Sequence, residues 1–377
     1  MPATLPPRFW SPLVLPVILC AVGLAACATE MGADGKMTLK LPSEVVAGPW
    51  ADKGYVGPRA CLICHEQIYN YYRDHGHPKK LRPAAEAREW GVPLPEGYSW
   101  DDVSYVIGGA TRKARYIDQQ GYIINKTGPK KDKDGKNQYN TATGRWVDYN
   151  PGQVLKYDCG PCHMTAYSKN GNQDNRPGMV GTWAFPGITC EECHGPGKAH
   201  AAAPSRTNIK VDPSDAACGK CHIRGAKERI PAGGGFIQHH EQYNELLASP
   251  HAGKVSCVTC HDPHKRAAIS QRMGCDKCHA KQAADFKGSR HEKSLVRCID
   301  CHMPAATKSA ENFGKYIGDI KTHIIKISLG ADDQMFTSDG KFATGKLTAD
   351  FACLSCHASR DKSWAAAQAK GIHARGK

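Results

Sequence analysis

The sequence predicts a mainly α chain with long irregular loops and a small β excursion, in which groups other than side chains form much of the core. Three observations carry this. Eight Cys-x-x-Cys-His units recur along 377 residues, and a short helix is expected to present each motif histidine. Aromatic residues make up only 8% of the chain, which is thin for a side-chain core of this size. Residues 104–125, SYVIGGATRKARYIDQQGYIIN, read as short strand-like runs around a Gln-Gln-Gly turn.

The units are Cys61/Cys64/His65, Cys159/Cys162/His163, Cys190/Cys193/His194, Cys218/Cys221/His222, Cys257/Cys260/His261, Cys275/Cys278/His279, Cys298/Cys301/His302 and Cys353/Cys356/His357. They take sixteen of the eighteen cysteines and leave Cys20 and Cys27. A zinc ribbon needs two Cys pairs per metal and no histidine after each, and a disulfide framework has no use for a histidine at a fixed offset. Covalent haem c attachment needs all three residues: two thiols add to the porphyrin vinyl groups and the next imidazole binds the iron. Eight intact units therefore predict eight haems c. Roughly 350 mature residues then share out at about 44 per haem, with the macrocycles serving as core.

The N-terminus reads as export machinery. Arg8 is followed by an apolar run over residues 11–26, too short and Pro-interrupted for a comfortable membrane span. It ends in Leu24-Ala25-Ala26-Cys27, which resembles a bacterial lipobox, with Cys27 as the lipidated first residue of the mature chain. An ordinary signal peptide cleaved near Ala28 is the alternative. Acyl chains on Cys27 would anchor the chain to a membrane without crossing it. The expected location is the periplasm, or the outer membrane or cell surface.

The formal charge of +14 looks like that of a binder of nucleic acid or acidic partners. About sixteen haem propionates would bring it to about +6 oxidised and about −2 reduced, so much of the Lys/Arg excess is assigned to propionates. Nucleic-acid binding is excluded on that ground. The expected partners are redox donors and acceptors and a membrane reached through the lipid anchor.

Each iron has a sixth position, and its occupant separates electron carriage from catalysis. Ten histidines lie outside the units: His75, His77, His200, His239, His240, His251, His264, His291, His323 and His373. His75 with His77, and His239 with His240, are near-neighbours; if each set fills one site, ten residues collapse to eight positions for eight irons. The distal candidates are His77, His200, His240, His251, His264, His291, His323 and His373. His264 lies three residues past His261, too close along the chain to reach the opposite face of the same ring, so it is expected to serve another haem. Met164 and Met303 directly follow motif histidines and are assigned to packing.

Cysteine spacing organises the chain as a signal peptide (1–26), a tether (27–57), a first-haem segment with a β insertion (58–158), a six-haem core (159–306) and a C-terminal segment with the eighth haem (307–377). The Lys-rich GPKKDKDGKNQ stretch reads as a solvated tip. The segments SPHAGKVSCVTCHDPHK and GSRHEKSLVRCIDCHMPA form a weak repeat, each with a histidine six or seven residues before its first Cys. One such peptide could ligate two neighbouring haems.

The stretches GPRACLICHEQIYNYYRDHGH, GITCEECHGPGKAH, GFIQHHEQYNELLASPHAGKVSCVTCHDPH and CIDCHMP resemble the hydroxylamine oxidoreductase-related multihaem cytochromes c. That group includes tetrahaem carriers, octahaem enzymes and pentahaem nitrite reductases. The resemblance implies haems in alternating parallel and perpendicular pairs, and it supports His77, His200, His251, His264, His291 and His323 as distal ligands. There are departures. The Cys-x-x-Cys-Lys common in nitrite-reducing members is missing, and nothing singles out one of the fourteen tyrosines for a haem cross-link. His240-Glu241-Gln242-Tyr243 is nonetheless similar to the His-Pro-Glu-Tyr segment that supplies an active-site histidine in nitrite reductases.

The sequence is thus read as an octahaem carrier relaying electrons in a bacterial respiratory chain, with no catalytic residue. One alternative is an oxidoreductase of a small nitrogen or sulfur compound such as nitrite or hydroxylamine, at one five-coordinate haem with His240 as acid/base. The other is a polymeric filament subunit in which one chain's histidine ligates its neighbour's iron.

Overall fold

The computed structural model describes residues 50–374, together with two short strands, Thr29–Met31 and Met37–Leu39. The expected signal segment and Cys27 lie outside the described residues. Helix accounts for 27% and strand for 20% of the chain, so the expectation of a mainly α fold with a small β excursion understates the β part.

The excursion is a seven-stranded sheet. Its main path runs Arg145–Val147, Gln138–Asn140, Lys113–Asp118, Val103–Gly108 and Leu81–Pro83, all antiparallel. Tyr122–Ile123 folds back on Lys113–Asp118 around the Gln-Gln-Gly turn, and Leu155–Lys156 pairs with it in turn. Oδ1 of Asp118 accepts from the backbone N–H groups of Gln120 and Tyr122 and closes that turn, with Gly121 at φ +90°. A second turn at Gly108 and Gly109, also at positive φ, joins Val103–Gly108 to Lys113–Asp118. Val106, Tyr116, Ile117, Tyr157, Met164, Met179 and Trp183 are fully buried in two apolar clusters on the sheet. Met164 therefore packs, as expected. In the Lys-rich stretch, Lys126–Thr127 pairs with Lys133–Asp134. There Lys130, Lys133 and Lys136 are exposed, while Lys131 bonds Asp102.

A second sheet was not foreseen. Its order is Thr307–Lys308, Phe236–Gln238, Ile230–Gly233 and Phe342–Ala343, with the first pair parallel and the others antiparallel. Ile237, Ile324, Met335, Leu347 and Phe351 form its core. Glu311 ties the two halves together: it accepts from Asn140 Nδ2 (2.9 Å), Thr143 Oγ1 (2.7 Å) and Arg145 Nη2 (2.8 Å) of the first sheet's edge.

Helices are short, none longer than the eight residues of Glu66–Arg73 and Lys362–Ala369 among the described residues. Residues 189–229 and 250–302 contain no buried hydrophobic side chain, although five of the eight units lie there.

Candidate functional site: the motif histidines and the rings opposite them

Each unit closes one helical turn. The backbone N–H of the motif histidine donates to the carbonyl of the first cysteine, for example His65 to Cys61 (2.9 Å), His163 to Cys159 (3.1 Å), His222 to Cys218 (3.0 Å), His279 to Cys275 (2.9 Å) and His357 to Cys353 (2.9 Å). Residues at i, i+3 and i+4 of a turn share one face, so both thiols and the imidazole are presented together.

The two expected attachment thiols of the first unit sit in unlike surroundings. Cys61 is half-buried, with Sγ 3.9 Å from the Gly57 carbonyl. Cys64 is exposed, and its backbone N–H donates to the Cys61 carbonyl (3.3 Å), which holds it on the same turn. The sequence pattern treats Cys61 and Cys64 alike and carries no sign of that difference.

Opposite each motif histidine stands one of the remaining ten. Ring centroids are separated by 6.3 Å in His65/His200, 6.3 Å in His163/His240, 6.2 Å in His194/His264 and 6.2 Å in His222/His77. The other four pairs are His261/His323 at 6.2 Å, His279/His251 at 5.8 Å, His302/His373 at 6.1 Å and His357/His291 at 6.2 Å. Two metal–imidazole bonds of about 2 Å, plus the distance from each nitrogen to its ring centre, also come to about 6 Å. His240 additionally lies 6.0 Å from His222. Among the described histidines His163 faces only His240, and among the motif histidines His77 faces only His222, so one assignment serves every unit. The rings opposite are the eight distal candidates of the sequence; His75 and His239 face none of the motif histidines. His264 faces His194 of the third unit rather than the neighbouring His261.

Burial keeps many of these rings neutral, the form that binds a metal. It pulls His163 down to about 3, with Lys80, Arg224, Arg115 and Lys113 adding to the effect. His77, His222, His240, His251, His261 and His373 are lowered by burial as well. None of the sixteen motif cysteines is in a disulfide.

Residues 126–195 match the family model for cytochrome c554 and c-prime. A stretch of 145 residues, 34% of this chain, is 26% identical to the multihaem cytochrome MtrA of Shewanella baltica and spans 39% of that protein. The fold resembles that of the octahaem sulfite reductase MccA of Wolinella succinogenes, with TM-score 0.59, 18% identity, and 80% of this chain and 65% of MccA covered. It also resembles that of the outer cell wall cytochrome OcwA, with TM-score 0.56, 19% identity, and 83% of this chain and 86% of OcwA covered. The chain thus spans less than two thirds of the length of both MtrA and MccA. It is a multihaem c-type cytochrome.

Haem c is the cofactor, and the residues fit it: paired cysteines outside any disulfide, imidazoles at ligation spacing, and unit-bearing segments without an apolar side-chain core. The cytochrome's sulfurs also order the units in space. Cys61 lies beside Cys190, Cys162 beside Cys221, Cys218 beside Cys257 and Cys275 beside Cys298. At longer range Cys193 interacts with Cys218, Cys260 with Cys278, and Cys301 with Cys353 and Cys356. The eighth, seventh, sixth and fifth units thus follow one another to the fourth. There the path divides, to the second on one side and to the third and first on the other.

The second nitrogen of many of these histidine rings is held by a nearby group, which fixes ring orientation and would leave Nε2 for a metal. Nδ1 of His194 meets the Lys210 carbonyl (2.7 Å), His302 the Ile325 carbonyl (3.0 Å) and His200 the Ser205 carbonyl (3.0 Å). His222 meets Gln242 Oε1 (3.1 Å), His261 meets Ser270 Oγ (2.9 Å) and His264 meets Asp262 Oδ1 (3.2 Å). Sequence reasoning missed these partners. Asp262 and Gln242 stand one and two residues from His261 and His240, and that proximity was the available signal. It also missed Glu191, inside the third unit, whose carboxylate accepts from the backbone N–H groups of Val56 (2.9 Å), Gly57 (2.8 Å) and Gly197 (2.8 Å) and docks the first unit's approach on the third.

One unit differs in its electrostatics. Lys80, Lys113, Arg115 and Arg224 all act on His163 and His239, and Arg224 Nη2 lies 3.4 Å from His239 Nε2. Burial holds Lys113 down to about 7 and lowers Lys80 and Arg115. The same burial and cations bring His239 to about 2.

Proposed function

We propose that the chain is an octahaem cytochrome that relays electrons outside the cytoplasm, held to a membrane by lipid on Cys27. The observation that carries this reading is the one-to-one set of facing imidazoles: each motif histidine has a ring at ligation spacing, so bis-His coordination would leave no iron open to substrate. When bound, the haems supply the one-electron Fe(III)/Fe(II) couple. The chain supplies order and orientation. Each unit's thiols, Cys61 and Cys64 in the first, and His65, His163, His194, His222, His261, His279, His302 or His357 would fix one macrocycle. His200, His240, His264, His77, His323, His251, His373 and His291 would close it from the far side.

Several of these closures bind distant units together. His264 follows the fifth unit and faces the third, and His323 follows the seventh and faces the fifth. Every facing ring belongs to the same chain, so a shared ligand between filament copies finds no free position among the described residues. A respiratory role with redox protein partners accords with the relatives, which are themselves cytochromes, and export accords with haem c and the N-terminal pattern. The test is a haem count by intact mass, followed by challenge of the ferric protein with sulfite, nitrite and hydroxylamine. Eight haems and an unchanged Soret band are expected; a ligand-induced shift overturns the relay.

The four cations around His163 and His239 favour one second reading, reduction of a small oxyanion at the second unit with His240 as acid/base. The octahaem sulfite reductase among the fold neighbours is consistent with it. The same cations are suited to haem propionates, and the challenge separates the two.

A further inference from the structure

Among the axial rings, His323 has a partner of a different kind. Glu245, on helix Gln242–Leu247, is fully buried. Its Oε1 accepts from Thr307 Oγ1 (3.1 Å), and its Oε2 accepts from Thr322 Oγ1 (3.1 Å) and from the His323 backbone N–H. No lysine or arginine pairs with it among the described residues; its ion-pair partner is His323, with Nδ1 3.7 Å from Oε2, and the Glu241 carboxylate adds like charge nearby. That Nδ1 is buried and has no hydrogen-bond partner. A carboxylate removed from water without a cation is costly, and three neutral donors compensate it only in part. A metal-bound histidine must in turn place its second N–H on an acceptor. The two deficits face each other across a gap that less than about 1 Å of side-chain movement would close into a charge-assisted hydrogen bond.

We propose that Glu245 sets the potential of the fifth haem through His323, making it the lowest-potential centre of the chain. The carboxylate strengthens His323 as a donor to iron and places a negative charge beside it, and both effects favour Fe(III). Elsewhere the second nitrogens meet mainly neutral groups: backbone carbonyls at His194 and His302, an amide at His222 and a hydroxyl at His261. Asp262 beside His264 and Asp285 near His373 are other carboxylates, but Lys265 Nζ at 3.4 Å and Lys281 Nζ at 2.7 Å offset their charges. The fifth unit is also the link between the sixth-to-eighth arm and the branched fourth unit. A low-potential haem there divides the chain into two electron reservoirs, with transfer between them the uphill step.

This rests on His323 being an axial ligand, and the experiment separates the two claims. His323→Met would add a methionine–iron charge-transfer band to the ferric spectrum; failure of the band to appear removes the ligand assignment and the proposal with it. Given that band, Glu245→Gln is expected to raise one potential, the lowest of the redox titration, by at least about tenfold in its reduction equilibrium, or about 59 mV. Glu245→Asp, which keeps the charge, is expected to leave that haem the lowest. Thr307→Val, which removes one hydrogen bond from Glu245 but no charge, is the control for a purely structural effect and is expected to move it far less. An unchanged lowest potential in Glu245→Gln, or an equal shift in Thr307→Val, overturns the proposal. If Glu245→Gln fails to assemble, a Glu245→Asp variant in which the haem closed by His323 is no longer the lowest-potential centre overturns it too.

Discussion

The sheet over residues 81–183 and the segment over 250–302 are built on opposite principles. The first buries Leu81, Ile117, Tyr157, Met179 and Trp183 against one another and is a conventional apolar core with antiparallel register. The second carries three attachment units and no buried hydrophobic side chain; its buried side chains are Ser270 and Ser289. What holds the second in shape is a series of capped single turns and ring pairs. The first region can fold on its own apolar surface, whereas on the proposed reading the second would depend on macrocycles to fill its interior. The difference explains how a chain with 8% aromatic residues supports a fold of this length.

That contrast can be broken by removing one haem. Cys275→Ser with Cys278→Ser deletes the sixth attachment site, and amide exchange over residues 250–302 is expected to accelerate by at least about tenfold while residues 103–118 keep their protection. Hydrogen-exchange mass spectrometry reads both at once, and equal loss in the two regions would show that the sheet is not independent. Conversely, Leu81→Ala leaves a cavity in the sheet core and is expected to cost about 3 kcal/mol in denaturant unfolding with the haem absorbance unchanged. The smallest effect sharpens the boundary between them. Glu311→Gln weakens the tie between the first sheet's edge and the C-terminal half, for about 1 kcal/mol at neutral pH. Three side-chain donors hold the Glu311 carboxyl below its usual range. Its stabilisation is therefore present above the unfolded carboxyl value of about 4.3 and is lost as pH falls through the lower folded value. Native and variant stabilities should converge in acid, and a difference that persists below that window would place the effect elsewhere.

The attachment units were legible because their chemistry is local: three residues within five positions make one turn. The unlike settings of Cys61 and Cys64 were not, because burial at one end of a turn depends on what packs there. The eight facing histidines were legible because ten candidates with two near-neighbour sets fit eight positions. Their pairing was not, since His323 meets His261 and His77 meets His222 across long stretches of chain, and no spacing rule carries that. The second sheet was missed for a similar reason. Ile230–Gly233 and Phe342–Ala343 are four and two residues long and are joined across more than a hundred positions, so neither shows a readable period. The first sheet's hairpin at Gly108-Gly109 was hidden behind the stronger Gln-Gln-Gly signal. Glu191, Glu245 and Asp262 look like ordinary charged residues until the fold turns their carboxylates inward.

The central claim is that all the irons are closed on both faces, and the ferric protein's electron paramagnetic resonance spectrum tests it most directly. The ring planes are within 17° of parallel in His65/His200, His194/His264 and His302/His373, and 67° or more apart in His222/His77, His163/His240, His279/His251 and His357/His291. Ligand-plane angle sets the rhombic splitting at iron, so two families of low-spin signals and no high-spin component are expected. A stoichiometric high-spin ferric signal would contradict the account.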